Sequence, residues 1–410
     1  MAETTARGKQ RSYLNAFSYP QFRRVWIASV TISLGNWAER LATGWIVLAE
    51  TESVFLTAAT FAIRQAPQLV TAPIAGAIAD RYSRGTILLL IGIYKALILG
   101  VLALLATNNL EPLWLVFVVL AFSGIGHSFE LPSTQGLVTG SVPKEVRMNA
   151  VAVQSTGMRA IGAVGALASG ITIEQLGVPV TFISAGAIFA LGGALAFLTT
   201  GNTASAVSER SSSVLRDVFD GLKIMADIPV VRVVLISAVF VEIFGFAYQA
   251  IMPSVADEVL KVDASGLGTL TMMAGVGSVL GSLFLMFLGD FRRKGLLLGL
   301  IALFYGTTVA TFAAPGSYVF ALIAIMGVGA SAAAFDAMQW ILLQLNVPDS
   351  MRGRAVGAWL FAIGFGWVGH LGLGALGEYF GVQEALTIAG IAVFSVGMLA
   401  LWLSPNLRRA

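Results

Sequence analysis

Charged side chains inside otherwise apolar segments are the residues of this sequence with the clearest capacity for chemistry. Glu39 and Arg40 lie in the apolar stretch 25–48, and His127 and Glu130 lie in another at 112–137. A carboxylate can take up and release a proton, and a neighbouring cation or imidazole changes how readily it does so. We expect Glu39 to be the proton-carrying group, with Glu130 as second choice, His127 as its partner and Arg40 as the competing cation.

Both sets of polar residues form a stripe along one side of a helix. At about 100° per residue, the first set falls within about 120° of arc and the second within about 60°. A polar stripe on an apolar helix is typical of a helix that lines a hydrated cavity. The stripes are Ser33, Asn36, Glu39, Arg40 and Thr43 in the first stretch, and Ser123, His127, Glu130 and Thr134 in the second.

Ionisable and polar residues also occur in other apolar stretches. An ionisable residue inside such a stretch is by default a functional hypothesis, and we expect these residues to extend the predicted cavity. The alternative is a set of structural ion pairs, for instance Glu39 with Arg64 or Arg159. Lys95 is expected to snorkel or to make one structural contact. The substrate-cavity candidates are Asn36, Arg64, Arg159, Glu242, Gln249, Asp336, Gln339 and Trp340.

The composition requires lipid as the solvent for most of the surface. Hydrophobic residues make up 57% of the chain and charged residues 11%, against roughly 25% charged in soluble domains. With no cysteine and two histidines, neither a thiolate nor a histidine-rich metal centre is expected. Nucleotide-binding and hydrolase motifs are absent from the sequence, so we expect no enzyme activity, no cofactor and no nucleic acid partner.

The hydropathy pattern predicts an all-α membrane protein of twelve spans in two six-helix bundles, related by a pseudo-twofold axis around a central cavity. A Ser/Thr-rich linker with a short amphipathic helix separates the bundles. The predicted domains are a tail at 1–24, a first bundle at 25–200, the linker at 201–228, a second bundle at 229–403 and a tail at 404–410.

Basic residues predict the orientation, since cytoplasmic loops are enriched in Lys and Arg. Both tails and the linker are basic, whereas the loops on the other side contain Lys261 among acidic residues. The chain is therefore expected in the inner membrane, with both termini cytoplasmic and lipids as neighbours.

Two loops repeat along the chain. Val142–Arg147 (VPKEVR) matches Val347–Arg352 (VPDSMR) 205 residues later, and Asp80–Gly85 (DRYSRG) matches Asp290–Gly295 (DFRRKG) 210 residues later. Equivalent loops at equivalent places indicate duplication of a six-helix unit. The loop Asp80–Gly85 is also predicted to act in conformational change. The Asp80 carboxylate can interact with the positive N-terminus of a helix, and the arginines can pair with acids on a neighbouring helix. We expect Gly76, Asp80, Arg81 and Arg84 to form a conformational latch.

The Gly76–Arg84 pattern resembles the loop motif of the major facilitator superfamily. The chain is most similar to its drug-proton antiporter branch, which contains bacterial macrolide and enterobactin-type siderophore exporters. The glycine-proline signature of many antiporters is missing from the fifth span, and Met286 stands where the second loop should have a glycine. The resemblance is carried by Phe22-Arg23-Arg24-x-Trp26, Ser33–Asn36, Trp45, Pro67, Gly76–Arg84, Gln344-x-x-Val347-Pro348 and Met351–Arg354.

This resemblance implies a monomeric secondary transporter working by alternating access. The expected activity is proton-coupled efflux of a lipophilic or amphipathic small molecule, such as a drug or a siderophore-like compound. The alternatives are uptake, translocation of a lipid such as lysophospholipid, or a substrate-sensing receptor with a transporter fold.

The orientation can be tested with single cysteines, because the chain has none of its own. In intact cells, a membrane-impermeant thiol reagent should label Lys261→Cys and leave the control Lys144→Cys unlabelled until the membrane is opened. Labelling in the reverse order would invert the predicted topology.

Overall fold

The computed structural model describes residues 15–200, 228–289, 291–312, 316–348 and 351–404, with the backbone alone at 200, 352–354 and 356. These residues form helices and turns, without a β-strand. The predicted amphipathic helix of the linker and the ends of both tails lie outside the described residues. The α-helices are α1 (Pro20–Thr51), α2 (Val54–Gln65), α3 (Gln68–Arg81), α4 (Arg84–Ala106), α5 (Leu113–Gly140), α6 (Arg147–Leu176), α7 (Val178–Thr200), α8 (Pro229–Phe244), α9 (Tyr248–Ser254), α10 (Ala264–Leu288), α11 (Lys294–Phe312), α12 (Tyr318–Asn346), α13 (Arg352–Ile363), α14 (Gly366–Phe380) and α15 (Val382–Leu403).

Ten helical segments of the described residues are long and apolar enough to cross a membrane. They correspond to predicted spans three to twelve. The first predicted span lies in α1, which has 32 residues but carries the charged pair Glu39 and Arg40. The second is divided between α2 and α3, which have 12 and 14 residues and meet at Ala66 and Pro67. Proline lacks the N–H that would continue the helix, so the break follows from the sequence.

The chain divides into two compact units. The first comprises Met1–Ala42 and Val70–Glu209, of which 15–42 and 70–200 are described. Here α4 and α7 form the most extensive helix pair. A methyl group at Gly92 would lie 2.5 Å from the carbonyl oxygen of Phe189, and one at Gly193 would lie 2.5 Å from that of Leu88. Small residues therefore let the two backbones approach closely, as in other membrane helix pairs.

The second unit comprises Thr43–Leu69 and Arg210–Ala410. Its closest helix pairs are α10 with α12 and α11 with α15. The helix α2, although early in the sequence, belongs to this unit and packs along α14. Gly374 faces Ala58 at this contact, and the rings of Phe61 and His370 meet edge to face at 6.0 Å. The division of the chain into two repeated six-helix bundles at 25–200 and 229–403 stays a prediction.

A carboxylate fastens the start of α2 to α14. Ser53 caps α2 by accepting the Leu56 N–H at 3.1 Å, and its hydroxyl donates to the two Glu378 oxygens at 3.2 and 3.1 Å. The Phe55 N–H also donates to Glu378 Oε2, at 3.0 Å. Glu378 thus satisfies an N–H group that the first turn of a helix leaves without a partner, and its charge suits the positive helix end.

We expect Glu378→Ala to lower the free energy of unfolding by about 0.5–2 kcal/mol, the range for losing a helix cap. Thermal unfolding of the purified chain in detergent measures this as a lower midpoint. Glu174→Ala, at an exposed position on α6, is the matched control. Equal midpoints for the two variants would show that Glu378 does not anchor α2.

Candidate functional site

The first unit buries one ammonium group between two carboxylates. Glu39 on α1 and Lys95 on α4 are both fully buried, and their charged atoms lie 2.7 Å apart. Glu130 on α5, 5% exposed, places Oε1 3.9 Å from the same Lys95 Nζ. Isolated buried charges are costly, and they persist in proteins when they are paired and hydrogen-bonded. The three residues therefore form one unit.

Ser123 completes the surroundings of the ammonium group. Lys95 Nζ donates to Ser123 Oγ at 2.8 Å, and the Ser123 hydroxyl in turn donates to Glu39 Oε1. The ammonium group also lies over the Phe189 ring, 4.9 Å from its centroid, in a cation–π contact. Two oxygen acceptors and an aromatic face thus replace the water that Lys95 gives up.

Glu130 connects this buried group to less buried polar residues. Its Oε2 accepts from Asn36 Nδ2 at 2.7 Å and lies 3.0 Å from His127 Nδ1. The His127 side chain is 33% exposed, whereas that of Glu130 is 6% exposed. We call Glu39, Lys95, Ser123, Glu130, Asn36 and His127 the charged cluster. Its exposed end is His127 and its innermost carboxylate is Glu39.

The charge of the charged cluster depends on His127. Two ionised carboxylates and one ammonium leave a formal charge of −1, which a protonated His127 brings to zero. The charged cluster thus joins two carboxylates, one ammonium and one imidazole, which are kinds of group that exchange protons in proteins.

Of the two alternatives for Lys95, snorkelling is wrong, because its side chain is fully buried, and the structure shows structural contacts instead. Lys95 is the cation that contacts both Glu39 and Glu130. Arg159, predicted as an alternative partner, lies exposed on α6. A lysine in the middle of an apolar span was the signal that could have identified it, since such a charge faces the interior of a bundle.

Arg40 follows Glu39 on α1 but has a different environment. It is half-buried, and its guanidinium lies over the Trp37 ring at 5.4 Å from the centroid. Arg64 belongs to the second unit and is half-buried there. Arg40 was predicted as the competing cation for Glu39, and the structure shows that Lys95 contacts the Glu39 carboxylate directly.

The predicted cavity residues of the second unit lie on α8, α9 and α12. Glu242, Gln249 and Asp336 are half-buried. Glu242 and Gln65 approach Gly366, where a methyl group would lie 2.7 Å from Glu242 Oε1. Gln339 is buried, and its side-chain oxygen accepts from Trp359 Nε1 at 2.9 Å.

Trp359 also contacts Trp340. Their rings meet edge to face at 5.6 Å, and Trp340 is 40% exposed. Sequence reasoning identified Trp340 and missed Trp359, which lies on another helix and is joined to Gln339 and Trp340 by tertiary packing alone. The pair offers an exposed aromatic surface beside a buried amide.

The predicted latch residues lie at the end of α3 and the start of α4. The Asp80 side chain is 64% exposed and lies 3.9 Å from the Arg84 guanidinium. Arg84 Nη1 also donates to the Gly136 carbonyl at 3.0 Å, which joins the loop to α5. Arg81 is exposed, and space is open around Gly76. Their role as a conformational latch stays a prediction.

Comparison with known proteins identifies the family. The model of the transmembrane secretion effector family matches residues 11–408. The chain belongs to this family of major facilitator transporters. It is a membrane transporter, and its relatives are not enzymes.

The chain is similar over nearly its full length to named transporters. The staphyloferrin A transporter of Staphylococcus aureus is 23% identical over 391 residues, covering 93% of this chain and 96% of the relative. The enterobactin exporter EntS of Shigella boydii is 24% identical over 407 residues, covering 96% and 94%. The resemblance to siderophore exporters of the major facilitator superfamily is confirmed.

Solved structures show the same fold. The structure of a mutant peptide transporter POT with alafosfalin matches with a TM-score of 0.76 and 13% identity, covering 95% of each chain. The nucleoside transporter NupG matches with a TM-score of 0.71 and 14% identity, covering 93% of this chain and 98% of that one. The predicted all-α major facilitator fold is therefore confirmed.

Replacing Lys95 should reveal the free-energy cost of burying the carboxylates of Glu39 and Glu130. We expect Lys95→Met to lower the free energy of unfolding by about 3–5 kcal/mol, because both carboxylates lose their shared cation. Thermal unfolding in detergent measures the loss, with Lys144→Met at an exposed position as the control.

Two further measurements separate charge from packing in this variant. The double variant Lys95→Met/Glu39→Gln should recover part of the loss, and acid pH should narrow the difference from the natural protein because the carboxylates protonate. A Lys95→Met protein as stable as the control would show that the lysine does not stabilise the charged cluster.

Proposed function

We propose that this transporter exports an amphipathic small molecule, of the siderophore or lipophilic drug class, in exchange for protons. Membership of the secretion effector family and the similarity to an enterobactin exporter support outward transport. The observation that carries proton exchange is the charged cluster, where two carboxylates share one buried ammonium group.

Glu130 is our candidate for the proton-exchanging carboxylate. It contacts the half-exposed His127 at 3.0 Å, whereas Glu39 is fully buried and bonded to Lys95 and Ser123. Protons arriving through His127 reach Glu130 before Glu39. This reverses the order expected from the sequence, where Glu39 came first.

Protonation of Glu130 would change which carboxylate attracts the Lys95 ammonium group. Lys95 lies 2.7 Å from Glu39 and 3.9 Å from Glu130, so a neutral Glu130 leaves Lys95 to Glu39 alone. The contacts between α4 and α5 weaken as a result, while those between α4 and α1 strengthen. We infer that this difference favours one arrangement of the helices over another, as alternating access requires.

The residues of the second unit that we propose to contact the substrate combine aromatic and polar groups. Trp340 and Trp359 offer ring faces, and the stacked rings of Phe240 and Phe244 lie 6.4 Å apart. Gln339 and the carboxylates of Glu242 and Asp336 supply polar contacts. Such a lining suits an amphipathic molecule better than a sugar, because ring faces favour apolar and aromatic surfaces.

Transport by reconstituted protein tests coupling. In proteoliposomes with an imposed pH gradient, the natural protein should concentrate its substrate, and Glu130→Gln should reduce the accumulation ratio to about one while binding and exchange persist. A neutral side chain cannot carry the proton, so the variant only equilibrates substrate. Glu174→Gln is the control on an exposed surface.

The comparison of two neutral variants decides the assignment. If Glu130→Gln still accumulates substrate and Glu39→Gln does not, the proton site is Glu39. Accumulation by both variants would mean that proton exchange does not occur at these carboxylates. Staphyloferrin A, enterobactin and a lipophilic cationic dye, assayed in parallel, distinguish the siderophore class from the drug class.

A further inference from the structure

The position of Lys95 has a counterpart in the second half of the chain. The repeated loops Asp80–Gly85 and Asp290–Gly295 are 210 residues apart, and so are Lys95 and Tyr305. Lys95 lies 11 residues after the start of α4 at Arg84, and Tyr305 lies 11 residues after the start of α11 at Lys294. Tyr305 is therefore the second-half equivalent of the buried ammonium group.

Two carboxylates of the second unit lie within electrostatic reach of Tyr305. Glu242 on α8 and Asp336 on α12 are close enough to act electrostatically on the Tyr305 hydroxyl, and so is Tyr248. In the predicted repeat, α8 and α12 are the first and fourth helices of their half, as α1 and α5 are of theirs. In each half, two acids on the first and fourth helices act electrostatically on a residue of the third helix.

The Tyr305 hydroxyl is a buried polar group. The residue is 0% exposed, and its hydroxyl has no hydrogen-bond partner among the described residues. Glu242 and Asp336 do have other interactions. Buried polar groups in native proteins are nearly always hydrogen-bonded, so this hydroxyl, within electrostatic reach of two acids, is a candidate contact for a bound species.

A helix break lies against the same ring. The N–H groups of Gly245 and Phe246 both donate to the Val241 carbonyl, at 2.7 and 3.1 Å, so the regular helical bonding stops at the end of α8. A methyl group at Gly245 would lie 3.0 Å from Tyr305 Cε1. The C-terminal end of a helix attracts cations, and interrupted helices of transporters hold coupling ions in this way.

We propose that the Tyr305 hydroxyl and the carboxylates of Glu242 and Asp336 form a binding site for a small monovalent cation, with sodium as the probe. Hydroxyl and carboxylate oxygens are the ligands that hard cations prefer. The first half carries its cation covalently, as the Lys95 ammonium group, whereas the second half takes one from solution. This site lies outside the charged cluster and goes beyond the proton exchange proposed for Glu130.

Sodium binding can be measured on the full-length chain in detergent, without substrate or pH gradient. The midpoint of thermal unfolding should rise with sodium chloride and not with choline chloride at equal ionic strength. Tyr305→Phe should raise the half-saturating sodium concentration roughly tenfold or more, because the ion loses one ligand. Tyr318→Phe is the matched control, since its hydroxyl donates to the Gly266 carbonyl at 3.0 Å.

In choline chloride, Tyr305→Phe should be at least as stable as the natural protein, because the lost hydroxyl has no hydrogen-bond partner in the described part of the chain. A Tyr305→Phe protein that is clearly less stable in choline would mean that the hydroxyl has a partner in the protein, which overturns the proposal. So would a sodium response that is absent from the natural protein or unchanged in Tyr305→Phe, as expected if the hydroxyl holds only a water molecule.

Glu130→Gln separates this proposal from the proposed function. It should keep the full sodium response, because Glu130 contacts Lys95, Asn36 and His127 in the first unit and none of the residues of the proposed sodium site. Loss of the sodium response in Glu130→Gln, with Tyr305→Phe responding normally, would place the cation in the first half and overturn the site at Tyr305.

Discussion

The ammonium group of Lys95 sets the condition that the rest of the first unit must meet. It lies in an apolar helix, fully buried, and it is tolerable there only because Glu39 on α1 and Glu130 on α5 reach it. A charge without such partners would cost far more than one helix contact returns. The positions of α1, α4 and α5 are therefore constrained together, and packing of small residues between α4 and α7 supports the arrangement.

The same scaffold carries different chemistry in its two halves. Lys95 and Tyr305 each lie 11 residues after the start of their helix, α4 or α11, and each is influenced electrostatically by two acids. One residue is a permanent cation, and the other is a neutral hydroxyl. If the predicted duplication holds, the two positions share an origin and differ in the charge of the side chain. Under our proposals, the first half exchanges a proton and the second binds a cation.

The helix α2 shows how packing can cross a division of the sequence. It precedes the linker, yet it lies in the second unit, along the glycine-rich side of α14. Pro67 separates it from α3, which lies in the first unit apart from its first two residues. The break lets two consecutive short helices belong to different compact units. Glu378 adds a charged anchor at the start of α2.

The sequence by itself determined the membrane class, the transporter family and most of the spans. Long apolar stretches leave lipid as the only suitable solvent, and the repeated loops mark the duplication. It also identified Glu39, Asn36, His127 and Glu130, because their helical spacing places them on polar stripes. Only the tertiary structure joined Lys95 to the two acids, Trp359 to Gln339, and Tyr305 to the helix break. These partners lie on different helices, and the pattern of one helix contains no information about which neighbour its side chains will meet.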